Sequence, residues 1–196
     1  PINVGLVVAQ TFGLITADEV ALRTLATRVE AGNNPILIQD ETLTDLSGLG
    51  LPAIRDANEN DKISLLASTF IGNPSDGTNP ANGVWGVTAP LNDVGVLLPS
   101  EVEEIQTLLA TANGAIAASV PSGWALFDLH GLYNEVVTTG VMEDSFNMTG
   151  DLVFGGFFSL DGFNPTSRGS ALIAKRMMEA IDATWGSNLS DAGLDI

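Results

Sequence analysis

Cysteine is absent from all 196 residues. That excludes disulfide stapling, thiolate metal centres and thiol catalysis, and it leaves the redox compartment open. Histidine occurs once, at His130, so a single imidazole is available as a base. Basic residues are scarce: seven Lys and Arg stand against 24 Asp and Glu, a formal net charge of -17. Such a charge repels phosphate backbones and argues against nucleic acid as a partner. Its plainest reading is a well-solvated surface in an extracellular or salty setting. No run approaches the roughly 18 apolar residues of a membrane span. Gly, Pro or a charge interrupts the longest apolar stretches. No signal peptide is visible, and the chain opens at Pro1 rather than Met, which reads as a processed or truncated N-terminus. What is present suits a globular chain: 45% hydrophobic and 16% charged residues, with length enough for one sizeable core.

Along the chain, residues 1–15 are apolar with Gly5 and Gly13 interrupting, a pattern that does not distinguish a strand from a buried helix. Thr16-x-x-Glu19 is a capping box and predicts a helix whose stripe is Leu22, Leu25 and Val29, stopped at Gly32-Asn33-Asn34-Pro35. A strand is expected over Ile36–Gln39 and another near Ile63–Ala67, with short helical turns between. Residues 72–83 are dense in Gly, Asn, Pro and Asp and must form a loop. Short strands are expected over Val84–Val87 and Val94–Leu98.

Beyond Pro99 the signals sharpen. Ser100-x-x-Glu103 reads as a second capping box, followed by Val102, Ile105, Leu109, Ala112 and Ile116 at helical spacing as far as Ser119. Pro121-Ser122-Gly123 breaks that helix. Trp124–Asp128 then reads as a short strand, Leu129–Thr139 as a helix, Asn147–Phe158 as a hairpin or extended arm, and 167–184 as a terminal helix. Helices alternating with strands suit an α/β sandwich.

Several polar groups have sufficient structural explanations. Glu101, Glu103 and Glu104 sit at a helix N-terminus, where the dipole favours them. Asp40, Glu41 and Asp45, and Asp56, Glu59 and Asp61, lack the spacing and central Gly of a calcium loop. Gly155-Gly156 lacks the lysine of a phosphate loop. No metal and no cofactor is expected. Asp128-x-His130 can be drawn as a dyad, but two residues apart at a helix start they normally diverge. Asn147 and Asn188 match the N-glycosylation pattern without further support. Trp85, Trp124 and Trp185 are scattered and read as packing residues.

The stretch with chemical content is Phe157-Phe158-Ser159-Leu160-Asp161-Gly162-Phe163-Asn164-Pro165-Thr166-Ser167-Arg168-Gly169, a polar loop leading into a helix. Taken alone, Asp161 and Asn164 suit a turn and a helix start. Together with Pro165, Thr166, Gly169, Ile173 and Ala174 they resemble the C-terminal motif of the SGNH/GDSL lipases and esterases, Asp-x-x-His-Pro-[Ser/Thr]-x-x-Gly. The wider phrase, through to Trp185-Gly186, is similar to secreted lipolytic proteins of this family from Bacteroidetes-like bacteria. The resemblance implies a three-layer α/β/α fold, with residues 99–196 as its C-terminal part and residues 1–98 as a mixed, subgroup-specific insertion. It makes Asp161 the triad acid and puts Asn164 in the position of the catalytic histidine. The family's Gly-Asp-Ser-Leu nucleophile motif and its oxyanion motifs are absent.

An amide cannot serve as a general base near neutral pH. The expectation is therefore the C-terminal portion of a secreted, periplasmic or outer-surface ester hydrolase, inactive as this chain. It would fold with a missing N-terminal half or a partner chain and face a small ester or lipid substrate. The competing expectation is a non-catalytic subunit or binding module of a bacterial surface assembly.

Overall fold

Polar caps decide where most of the helices begin. The computed structural model describes residues 2–28 and 33–192, a mixed α/β chain that divides into two units, Pro1–Ala110 and Thr111–Ile196. In the first unit the ambiguous apolar start is helix α1, Ile2–Thr11, which buries Leu6 and Ala9 against Ile15, Leu46 and Leu51. Thr16 caps α2, Ala17–Arg23, by accepting the Glu19 N–H at 3.2 Å. The Glu19 carboxylate takes no part in that cap: it receives Arg23 Nη1 at 3.0 Å and Thr44 N at 2.9 Å.

Helix α2 stops well short of Gly32, and the buried stripe differs from the expected one. Asn3 exchanges two side-chain bonds with the Leu25 backbone, and Asp56 takes the Ala26 N–H at 2.7 Å, so tertiary partners draw the chain out of the helix. Leu22 is exposed, Arg23 is buried in its place, and Val29 lies outside the described residues.

The strands are short. β1 (Leu37–Gln39) pairs antiparallel with β2 (Ile54–Asp56), and β3 (Lys62–Ile63) with β4 (Val96–Leu97). Ile38, Ala67, Leu91, Val96 and Leu98 close over them as a second small core. The expected strand at Ile63–Ala67 is cut after Ile63, where Ser64 caps a 3-10 helix over Leu65–Thr69. Val84–Val87 forms only single bridges, Pro74 to Val84 and Trp85 to Ala89.

Helix α3 spans Pro99–Ser119. Its start lies upstream of the expected box: Glu101 Oε2 takes the Leu98 N–H at 2.6 Å, and the first helical bond runs from Val102 N to Leu98 O. Pro99 suits the first helical position because it has no N–H to satisfy. None of the α3 apolar residues is buried.

In the second unit, residues 124–128 are irregular and form no ladder among the described residues, so the strand expected there is not formed. Asp128 instead caps α4, Leu129–Thr138, accepting the Gly131 N–H at 2.8 Å. A tight turn at Asp144 and Ser145, both with positive φ, joins β5 (Val141–Glu143) to β6 (Phe146–Met148) as a hairpin. Thr166 caps α5, Ser167–Trp185, which Gly186 ends in the left-handed conformation. Leu132, Val136, Val141, Met148, Phe157 and Leu172 form the core of this unit. Among the described residues every sheet has two antiparallel strands, and no helix is long and apolar enough to cross a membrane.

Candidate functional site

Phe157 is fully buried, and its backbone is the root of the loop that follows. Tyr133 and Phe158 pack edge-on against its ring at centroid distances of 5.1 and 4.9 Å. From this anchor the loop leaves and returns. Thr166 N donates to Phe157 O at 2.8 Å, Ser159 N donates to Asn164 O at 2.8 Å, and Phe158 forms an antiparallel bridge with Pro165. Gly162, at φ 73°, supplies the reversal, a conformation that costs glycine little.

The cap of α5 locks the return. Thr166 Oγ1 accepts the Gly169 N–H at 3.0 Å and donates to Gly156 O at 2.6 Å. Gly169 lies so close to the loop root that a Cβ there would stand 2.5 Å from Phe157 O. The Pro-Thr-x-x-Gly run thus has a packing reason: it seats the helix start on the Phe157 backbone.

Within this frame Asp161 collects four hydrogen bonds. Its Oδ1 accepts from Ser159 Oγ at 2.6 Å and from the N–H groups of Phe163 and Asn164 at 2.9 Å each; its Oδ2 accepts from Asn164 Nδ2 at 2.7 Å. The Ser159 hydroxyl first, then these amides, holds the carboxyl far below the usual carboxylate range. A carboxylate can only accept, so the amide nitrogen rather than the oxygen of Asn164 must face it. Asp161 and Asn164 are both exposed at the surface, as are Leu160 and Phe163 beside them. The carboxylate is ionised and oriented, which suits holding an adjacent side chain.

The sequence-selected residues Asp161 and Asn164 are therefore brought together. Asp128 and His130 are not: Asp128 is committed to the α4 cap, and the exposed His130 ring lies beside Asn134 Nδ2, 3.2 Å from Nε2. Three of the acidic residues considered in the first unit serve ion pairs. Asp40 and Asp61 converge on Arg55, and Asp56 binds Arg28.

Among the described residues, four of the cavities are lined at Gly5–Leu51, Phe127–Ala180, Phe70–Val94 and Gly123–Trp185, and neither Asp161 nor Asn164 lines any of these four. The last of these joins Trp124 to Trp185, a pairing that no periodicity in the sequence indicates. No family model, no curated protein and no solved structure matches the chain.

Proposed function

We propose that this chain carries the closing acid–base segment of an SGNH/GDSL-type ester hydrolase scaffold, with Asn164 standing where the base would be. The supporting observation is the 2.7 Å hydrogen bond from Asn164 Nδ2 to Asp161 Oδ2. An asparagine Nδ2 is as many bonds from Cα as a histidine Nδ1, so Asp161 holds residue 164 as a triad acid holds its imidazole. The implied reaction is acyl-ester hydrolysis through a serine acyl-enzyme. Its serine and oxyanion donors come from polypeptide beyond these residues or from a partner chain, and its substrate is a small ester or lipid.

The finer architecture belongs to the same proposal: residues 99–196 as the last part of a three-layer α/β/α sandwich, residues 1–98 as an insertion, and a secreted, periplasmic or outer-surface location. With an amide at 164, nothing in this loop takes up the nucleophile's proton, so the chain alone turns over no ester.

A second reading is a non-catalytic subunit or binding module built on that scaffold. The same bond favours it, because one Asn164 N–H is committed to Asp161, and the carbonyl oxygen and second N–H that are left can bind a partner but take up no proton.

The test is a loop exchange. Ser159–Gly169 replaces the Asp-x-x-His loop of an active SGNH ester hydrolase, once as it stands and once with Asn164→His. The unmodified graft is expected to lose activity by about 10⁶-fold, the scale of a triad deprived of its base, and the Asn164→His graft to regain most of it. A folded Asn164→His graft that stays inactive overturns the hydrolase reading.

A further inference from the structure

Trp124 and Trp185 are distant in sequence and meet at one cavity of about 310 Å3, lined by Gly123, Trp124, Ala125 and Trp185. Both stay mostly in solvent, 68% and 61% exposed. A lone exposed ring is common, but Trp is highly buried on average, and here two exposed indoles line one cleft. Trp185 is held in place: it ends α5, and its Nε1 donates to Gly123 O at 2.7 Å.

The lining restricts the ligand. Apart from the indole N–H groups it offers no side-chain donor or acceptor, and the Trp185 N–H is already committed. A sugar stacked here would find one side-chain donor, the Trp124 N–H, and no acceptor for its several hydroxyls. A nucleotide would bring phosphate into the field of a chain with net charge -17.

A quaternary ammonium needs neither donor nor acceptor and is attracted to the electron-rich faces of indoles. The surroundings favour a cation. No Lys or Arg lies between Lys62 and Arg168. The basic residues of this unit are engaged, Arg168 over the Phe146 ring, Lys175 with Glu143 and Arg176 with Glu179. One helical turn before Trp185, the Asp182 carboxylate is fixed by Ser187 Oγ, Leu189 N, Ser190 N and Ser190 Oγ.

We infer that the Trp124–Trp185 cleft binds small quaternary-ammonium cations of the choline type against its two indoles. The site is independent of the ester-hydrolase reading and of Asp161.

Choline chloride added to the full chain tests this, read at constant ionic strength by saturation transfer from protein to the N-methyl protons. The uncharged tert-butyl analogue of choline and a methyl glucoside serve as comparisons. Saturable choline binding is expected, at least about tenfold tighter than that of the uncharged analogue. Trp124→Ala, with unchanged far-UV circular dichroism, should abolish it. Trp124→Phe, which keeps a weaker aromatic face, should lower the affinity several-fold and reads the same contact if the alanine variant does not fold. No saturable choline signal, equal binding of the uncharged analogue, preference for the glucoside, or undiminished affinity in either Trp124 variant would each overturn the inference.

Discussion

The Asn164 side-chain amide donates to Asp161 Oδ2 at 2.7 Å, while Asp161 Oδ1 gathers the backbone N–H groups of Phe163 and Asn164 and the hydroxyl of Ser159. The two partners are unequal in consequence. Asn164→Ala removes one of the four bonds and leaves the turn in place, so its effect on stability should stay within about 0.5 kcal/mol, the range of ordinary surface substitutions. Asp161→Ala strips the acceptor from all four donors and should lower the melting temperature more than Asn164→Ala does. Thermal denaturation of the two variants side by side gives the comparison.

The seat of α5 on the Phe157 backbone is the second point of leverage. A methyl group at Gly169 would meet Phe157 O at 2.5 Å and Pro165 Cβ at 3.0 Å. Neither the carbonyl nor the proline ring can swing aside as a flexible side chain would. Gly169→Ala should destabilise by about 1–3 kcal/mol, the usual cost of overpacking. Thr166→Ala loses the helix cap and the bond to Gly156 O, with an expected cost of about 1–2 kcal/mol. Chemical denaturation of both variants measures these values.

In the first unit, Arg55 sits between two carboxylates, Nε to Asp40 Oδ2 at 2.6 Å and Nη2 to Asp61 Oδ1 at 2.6 Å, with side-chain exposures of 3%, 4% and 0%. Burial pushes the Asp61 pKa up, but the hydrogen bonds from Arg55 and the Asn58 N–H outweigh it, and the carboxyl ends below its ordinary range. A depressed carboxylate contributes stability that is fully present above its unfolded value, about 3.9, and is lost as pH falls through the lower folded value. Wild-type stability should therefore decline below about pH 4. Asp61→Asn should cost about 3–5 kcal/mol at neutral pH, because it leaves Arg55 with an uncompensated share of buried charge. The variant should also show a shallower acid limb, measured as melting temperature against pH.

The local signals that proved legible were those whose physics is local. Thr16 caps α2, the half of its box that forms, and the spans of α4 and α5 agree closely with the expected ones. The Asp161–Asn164 contact also follows from a three-residue spacing on one turn. Distant partners account for the differences. Asn3 and Asp56 pull residues 25 and 26 out of α2, and Glu101 moves the start of α3 upstream by reaching back to Leu98. The segment Trp124–Asp128 carries an apolar strand composition, but a strand exists only where a neighbour supplies the ladder. Trp124 and Trp185 share no periodicity, and it is the shared cavity and the bond from Trp185 Nε1 to Gly123 O, 62 residues apart, that reveal them as neighbours.

If Asp161 holds the side chain at 164 as a triad acid would, an imidazole placed there must feel the carboxylate. Asn164→His should keep the Asp161 contact through Nδ1, and the carboxylate should raise the imidazole pKa above its ordinary value of about 6.5. The raised pKa contributes stability fully present below about pH 6.5 and lost as pH rises through the folded-state value. The titration of its Cε1 proton by NMR reads this directly, with His130 in the same spectrum for comparison. An upward shift that disappears in the Asp161→Asn, Asn164→His double variant is the expected result. An imidazole at 164 that titrates at its ordinary value, unaffected by Asp161→Asn, would contradict the account.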